Sequence, residues 1–194
     1  MNRRQSSIPP SYFDELYAGE HDPWNFETSA YEQSKYDATL AALPRSRYRR
    51  GLEVGCSIGV LTARLAGRCR NLLAIDVSEK ALAAARERCR ALANIDFEKI
   101  SAPAGWPAGM FDLIVLSEVV YYLDAGDVSW LAERVGTSIE PGGDVLLVHW
   151  IEATDYPLSG DEAATLFMKA LGGSARRIRQ ERTQAYRLDG LTFP

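Results

Sequence analysis

The sequence predicts an α/β protein with a mostly parallel sheet and helices on both faces. Three observations predict it. From Gly51 onward, short apolar runs alternate with segments whose apolar residues recur at helical spacing. The run Leu52-Glu53-Val54 passes into a glycine turn, Gly55-Cys56-Ser57-Ile58-Gly59, and then into a helical pattern. A second apolar run, Leu72-Leu73-Ala74-Ile75, ends on Asp76, which puts an acid at the same sheet edge as that turn.

The elements follow in order. Residues 1–10 read as a flexible lead ending in Pro9-Pro10, and 11–50 as a helical N-terminal lid. Its helices run from Ser11 to Tyr17 and from Ser29 to Leu43, separated by the aromatic, turn-rich stretch Glu20 to Phe26. Pro44 and the arginine-rich Arg45 to Arg50 close this part. Strand one is Gly51 to Val54, and its helix carries Leu61 and Leu65 one turn apart. After strand two, Ser78 is placed to cap a helix in which Ala81, Leu82, Ala85 and Cys89 share a face, with Glu79 in its first turn. Ile95 to Lys99 is a third strand, and Phe111 to Leu116 is apolar enough to lie centrally. A helix from Asp127 to Ile139 is expected to bury Trp130, Leu131 and Val135. Pro141-Gly142-Gly143 then turns into a fifth strand, Asp144 to His149. Ser159-Gly160-Asp161-Glu162 is a capping box opening a helix to Leu171. The tail from Arg176 to Phe193 reads as a hairpin of two edge strands, making seven in a single domain, 1–194.

Composition narrows the function classes. The 194 residues are 46% hydrophobic and 25% charged, ordinary for a globular domain. A net charge of -4 argues against a nucleic-acid partner, and no apolar run approaches the roughly 20 residues of a membrane span. Cys56, Cys69 and Cys89 have no metal-ligand spacing, so no metal is expected, and their odd number suits a reducing cytoplasmic setting. A small-molecule or oligosaccharide substrate and a monomer or weak homodimer are the expected company. The arginine groups Arg45 to Arg50 and Arg176 to Arg179 read as solvated surface.

The glycine turn lacks the middle glycine of a pyrophosphate-binding G-x-G-x-x-G, which is Ser57 here, and no G-K-[ST] follows for a phosphate loop. With Glu53 before it and Asp76 after it, the turn fits a cofactor that has a ribose but no phosphate, a description met by S-adenosylmethionine. Asp76 can accept from both ribose hydroxyls. A tight strand-to-helix turn and a helix-capping acid would use the same residues without any ligand.

Phe111 to Leu123 followed by Pro141-Gly142-Gly143, together with Glu53 to Gly59 and Asp76, resembles the class I S-adenosylmethionine-dependent methyltransferase pattern over roughly residues 50–150. Asp22-Pro23-Trp24, Thr28-Ser29-Ala30-Tyr31-Glu32 and Glu118 to Leu123 are similar to the NodS branch, which N-methylates the freed amine of a chitooligosaccharide. The resemblance implies a Rossmann-like fold with the N-terminal helices over the cofactor site and S-adenosylhomocysteine as product. It implies that Gly55, Cys56, Ser57 and Gly59 line the methionine part of the cofactor, with Asp76 on the ribose and Val77 beside the adenine. Ser101, followed by Ala102, stands where the family has an acid for the adenine amino group, so backbone groups of Ile100 and Ser101 are expected there instead. The Ser117 carbonyl meets the methionine ammonium, and Lys35 pairs with its carboxylate. Trp24 and Tyr31 close over the sulfonium or staple the lid. Glu118, Tyr121 or His149 is the expected proton acceptor, His149 because it leaves the carboxyl end of strand five. N-methylation of a small metabolite or amino-sugar acceptor leads. An O-methyltransferase for a hydroxylated or acidic metabolite, and a catalytically silent cofactor-binding subunit, remain open beside it.

Overall fold

A computed structural model of the protein describes residues 3–194. Its elements are α1 (Pro10–Gly19), α2 (Ala30–Ala42), β1 (Tyr48–Val54), α3 (Val60–Leu65), β2 (Cys69–Asp76), α4 (Glu79–Arg88), β3 (Ile95–Lys99), β4 (Phe111–Ser117), α5 (Ala125–Ser138), β5 (Ile139–Trp150), α6 (Gly160–Leu171), β6 (Arg176–Arg182) and β7 (Tyr186–Thr192). They build one seven-stranded sheet in the order β3-β2-β1-β4-β5-β7-β6. β1 to β5 pair in parallel, while β7 runs antiparallel to both β5 and β6. The chain moves outward from β1 through β2 to β3, then returns to start β4 on the other side of β1. The carboxyl edge between β1 and β4 is therefore the place where helices part and a crevice opens.

Both faces of the sheet are covered, which explains the uninterrupted apolar runs. β4 sends Ile114 and Leu116 into a core shared with Val128, Leu131 and Phe167 of α5 and α6. Its alternate residues Leu113 and Val115 meet Tyr36, Leu61 and Leu65 from α2 and α3 on the other face. The capping box at Ser159 and Glu162 forms as the sequence predicts.

Several expectations are corrected. β1 begins at Tyr48, taking in part of the arginine stretch, because Asp112 accepts from the Arg49 and Arg50 amides and holds it against β4. α5 starts at Ala125, since Asp124 caps the Gly126 and Asp127 amides. Trp130 is 39% exposed, because the stripe through Leu131 and Val135 leaves its neighbour about 100° off the buried face. β5 absorbs Pro141-Gly142-Gly143 through a register irregularity instead of starting after it. The tail hairpin has one edge strand only, β6, while β7 is interior. Ser78 sits at the start of α4 without a side-chain cap, and it is Asp76 that accepts from the Ser78 amide.

The lead expected to be flexible is docked from Arg3 on. The Arg4 amide bonds to the Asp155 carbonyl, Ser7 bonds to Asp124 and Asp127, and Ile8 is buried with its amide on the Tyr122 carbonyl. Its first two residues lie outside the described ones. The arginine groups are matched by acids, Arg45 with Asp144, Arg49 with Glu140, Arg177 with Asp189 and Arg179 with Glu181. Among the described residues, no helix is long and apolar enough to cross a membrane.

Candidate active site

A cavity of about 420 Å³ lies at the carboxyl edge between β1 and β4, within the range of small-molecule sites. Its floor comes from Glu53, Val54 and the glycine turn of β1, Asp76 and Val77 after β2, and Ser117 and Glu118 at the end of β4. Phe13 and Tyr17 of α1, with Trp24 and Phe26 beyond it, form the roof. α1 has no fully buried residue, so it lies on the cavity and not in the main core.

At one end the wall is mostly backbone. Gly55 takes φ +76°, and a Cβ there would stand 2.4 Å from Val119 Cγ2, so glycine is required both by angle and by space. Ser57 adopts φ +51°, a left-handed angle that costs an L-residue about 1–2 kcal/mol. It is fixed there from two sides. Its amide donates to Asp76 Oδ2 at 2.8 Å, and its hydroxyl bonds to the Tyr17 hydroxyl. Asp76 Oδ1 accepts from the Ser78 amide at 2.9 Å. Each carboxylate oxygen thus has one lone pair committed and another left for a ligand donor, a set suited to the paired hydroxyls of a ribose. Burial raises the Asp76 carboxyl above its ordinary value, against the pull of those two amides. Glu53 is 2% exposed and pushed up to about 8 by burial, helped by the charge of Asp76. Burial pushes the Cys56 thiol well up, which leaves it as an apolar wall.

At the other end the wall is charged side chains. Lys35 is 2% exposed, with Nζ at 2.9 Å from Glu32 Oε1 and 2.5 Å from Glu118 Oε1. Glu118, itself at φ +57°, accepts on Oε2 from the Tyr121 hydroxyl and the Trp150 amide, both at 2.8 Å. One carboxylate therefore ties α2, the end of β4, the turn at Val120–Tyr122 and the end of β5. Burial opposes its charge, but Lys35 outweighs that and holds the carboxyl below the usual range. Burial likewise opposes the Lys35 charge, while Glu118 and Glu32 keep the ammonium above an ordinary lysine value. Tyr121 is driven well up by burial and by Glu118, so it donates and does not act as a base.

Of the site residues read from the sequence, Trp24, Tyr31, Lys35, Glu53, Gly55, Cys56, Ser57, Asp76, Val77, Ser101, Ala102, Ser117, Glu118 and Tyr121 all line this cavity. Two do not. Gly59, at φ +80°, packs α3 onto α4, its notional Cβ 3.0 Å from Ala85 Cα. His149 is fully buried beneath the cavity, with Nε2 accepting from the Val120 amide at 3.2 Å. Burial lowers it to about 4, so it is neutral, and with Nε2 taken by the Val120 amide and the ring outside the cavity lining it braces the turn. Lys35, expected on the methionine carboxylate, is held between the acids Glu32 and Glu118. Of the backbone groups of Ile100 and Ser101 expected to replace the missing adenine acid, the Ile100 amide already donates to the Asp76 carbonyl and the Ser101 carbonyl already accepts from the Gly105 amide.

Sequence reading missed Tyr17, Glu32, Tyr36 and Tyr156, which also line the cavity. Phe13 and Tyr17 stand four apart on one helix, a spacing that marks a shared face. Glu32 and Lys35 stand three apart on another, and neither pair alone reveals which face is covered. Tyr156 lies in the loop after β5 and stacks on Tyr121 at 5.3 Å, a long-range contact with no local signal.

Comparisons with known proteins agree with this layout. The family model for nodulation protein S (NodS) matches residues 15–134. Nodulation protein S of Sinorhizobium fredii is 31% identical over 134 residues, 68% of this chain and 62% of that protein, so the chain spans less than two thirds of that relative's length. A putative methyltransferase from Pseudomonas syringae superposes with a TM-score of 0.73 at 36% identity, covering 84% of this chain and 99% of that one. The N-methyltransferase NodS of Bradyrhizobium japonicum in complex with S-adenosyl-L-homocysteine superposes with a TM-score of 0.82 over 96% of this chain and 100% of that one, at 22% identity, a likeness of fold.

Proposed function

The chain belongs to the nodulation protein S family, and from that premise we propose that it transfers the methyl group of S-adenosylmethionine to the nitrogen of a small amine-bearing acceptor, such as an amino sugar. The acceptor rests on the family premise, while the observation that carries the donor part of this reading is Asp76. Its carboxylate is oriented by the Ser57 and Ser78 amides at the switch point of a parallel sheet, beside a turn with no provision for a phosphate.

The donor set fits a sulfonium nucleoside. Asp76 would hold the ribose, Val77 and Ala102 would flank the adenine, and the Ser101 hydroxyl oxygen would accept from the adenine amino group in place of the missing acid. Ser117 and Glu53 offer oxygens to the methionine ammonium. The bound donor supplies an electrophilic methyl group. The chain supplies alignment, which dominates the catalysis of an in-line displacement. The roof of Phe13, Tyr17 and Trp24 excludes water, and Trp24, stacked on Phe26 at 5.4 Å, offers an aromatic face to a cation. Gly59 and His149 act on the structure around the site and not on the ligand.

Incubating the purified protein with methyl-labelled S-adenosylmethionine and partially de-N-acetylated chitooligosaccharides tests the reading. Label on nitrogen supports it, and label on hydroxyl or carboxyl oxygens alone refutes it. Tight S-adenosylhomocysteine binding with no turnover on any amine would favour a silent cofactor-binding subunit.

A further inference from the structure

Glu32 has an oxygen that the fold leaves unused. The residue is 7% exposed and lines the cavity; Lys35 engages Oε1, and the neighbouring Tyr36 hydroxyl approaches the carboxylate without closing a bond on Oε2. Its Oε2 is buried with no hydrogen-bond partner among the described residues, and the same holds for the hydroxyl of the adjacent Tyr31, another cavity residue. A buried carboxylate oxygen without a donor is costly unless a ligand supplies one. Charge points the same way, since the single Lys35 ammonium is shared by two carboxylates, Glu32 and Glu118, which leaves one negative charge to be met from the cavity.

Position separates this acid from the ribose end. Asp76 bonds to the Ser57 and Ser78 amides, whereas Glu32 bonds to Lys35, which reaches on to Glu118. Tyr31 in turn meets the edge of Trp150 at 5.4 Å, at the end of β5 and away from the glycine turn.

We propose that Glu32 Oε2 binds the acceptor amine and takes its proton, with the Tyr31 hydroxyl as the second contact. The acceptor arrives as an ammonium, attracted by the unbalanced acid, and gives one N–H proton to Oε2. The freed nitrogen lone pair then forms the N–C bond as the donor's S–C bond breaks, and that electron pair stays on sulfur. No oxidant or further reactant is needed. Glu118 is less suited to this part, because Lys35, Tyr121 and Trp150 already donate to its two oxygens and stabilise its charged form, whereas Glu32 Oε2 has no donor. Burial raises Glu32 above its ordinary value in spite of Lys35, the direction that favours a proton acceptor. The site thereby selects amines over hydroxyls.

The inference rests on the methyltransfer reading, and its test separates the two. Protein carrying ¹³C-labelled glutamate is loaded with S-adenosylhomocysteine and titrated with ethylamine, benzylamine and glucosamine, then with ethanol, benzyl alcohol and N-acetylglucosamine. At least one amine is expected to shift a carboxyl resonance that is absent from Glu32→Gln, and its hydroxyl or acetylated counterpart is not. Glu32→Gln should weaken amine binding tenfold or more, Tyr31→Phe about threefold, and both should bind S-adenosylhomocysteine within twofold of the parent. Failure of the parent to bind S-adenosylhomocysteine would overturn the donor reading and this inference with it. With that binding intact, an unaltered amine affinity in Glu32→Gln, or no shift with any amine, overturns the inference alone. A tenfold loss of S-adenosylhomocysteine affinity in Glu32→Gln would put Glu32 on the donor's own ammonium and also overturn it.

Discussion

At the Asp76 end of the cavity the wall is backbone, fixed by Gly55 at φ +76° and by two amides on one carboxylate. At the Glu118 end it is side-chain charge, an ammonium and two carboxylates drawn from α2 and β4. Backbone walls come with the strand-turn-helix order and tolerate change in the residues behind them. A wall of buried charge exists only while every partner is present, so removing one leaves the others uncompensated. The first arrangement suits an invariant donor, and the second suits recognition of one acceptor chemistry.

That contrast orders the expected effects of substitution. Lys35→Met should be the most damaging, because it strands two buried carboxylates, and a loss of about 3–5 kcal/mol in denaturant unfolding is expected. A loss below about 1 kcal/mol would show that the charged wall is not a unit. Next comes acidification. The unfolded chain protonates His149 near 6.5 while the folded one waits until about 4, so between those values the unfolded state holds more protons. Stability should therefore fall as pH drops through that window, by roughly 3 kcal/mol from this group. His149→Gln, which keeps an acceptor for the Val120 amide, should flatten that part of the stability profile, and an unchanged slope would contradict a buried neutral histidine.

The donor end responds in binding more than in folding. Asp76→Ala should weaken S-adenosylhomocysteine by about 1.5–3 kcal/mol, the scale of charged hydrogen bonds, as read by calorimetry. Unchanged affinity would move the ribose elsewhere. Smallest is Tyr121→Phe, which removes one of three donors to Glu118 and should cost about 1 kcal/mol of stability with donor affinity intact. A donor affinity that falls with it would blur the division between the two ends.

The same division governs what could be read from the sequence. The sheet was legible because central strands such as Phe111 to Ser117 are buried on both faces and show as unbroken apolar runs. The Asp76 end was legible because its parts, Glu53 to Ser57 and Asp76, sit on two neighbouring strand ends at a fixed spacing. The other end is assembled across long distances in the chain. Lys35 meets Glu118 from 83 residues away, and the Trp150 amide reaches Glu118 across 32. His149 was misplaced for a related reason. A strand end covered on both faces gives no alternation to show which side a residue takes, and here it is the side beneath the Val120 turn. Trp130 was misplaced by a one-residue error of helical phase, enough to carry it from core to surface.

The most direct test of the account is a crystal structure of the protein with S-adenosylhomocysteine. Both ribose hydroxyls are expected within hydrogen-bond reach of Asp76, with the sulfur facing the part of the cavity lined by Tyr31, Glu32 and Tyr121. A ribose away from Asp76, or a sulfur turned from that part of the cavity, would contradict it.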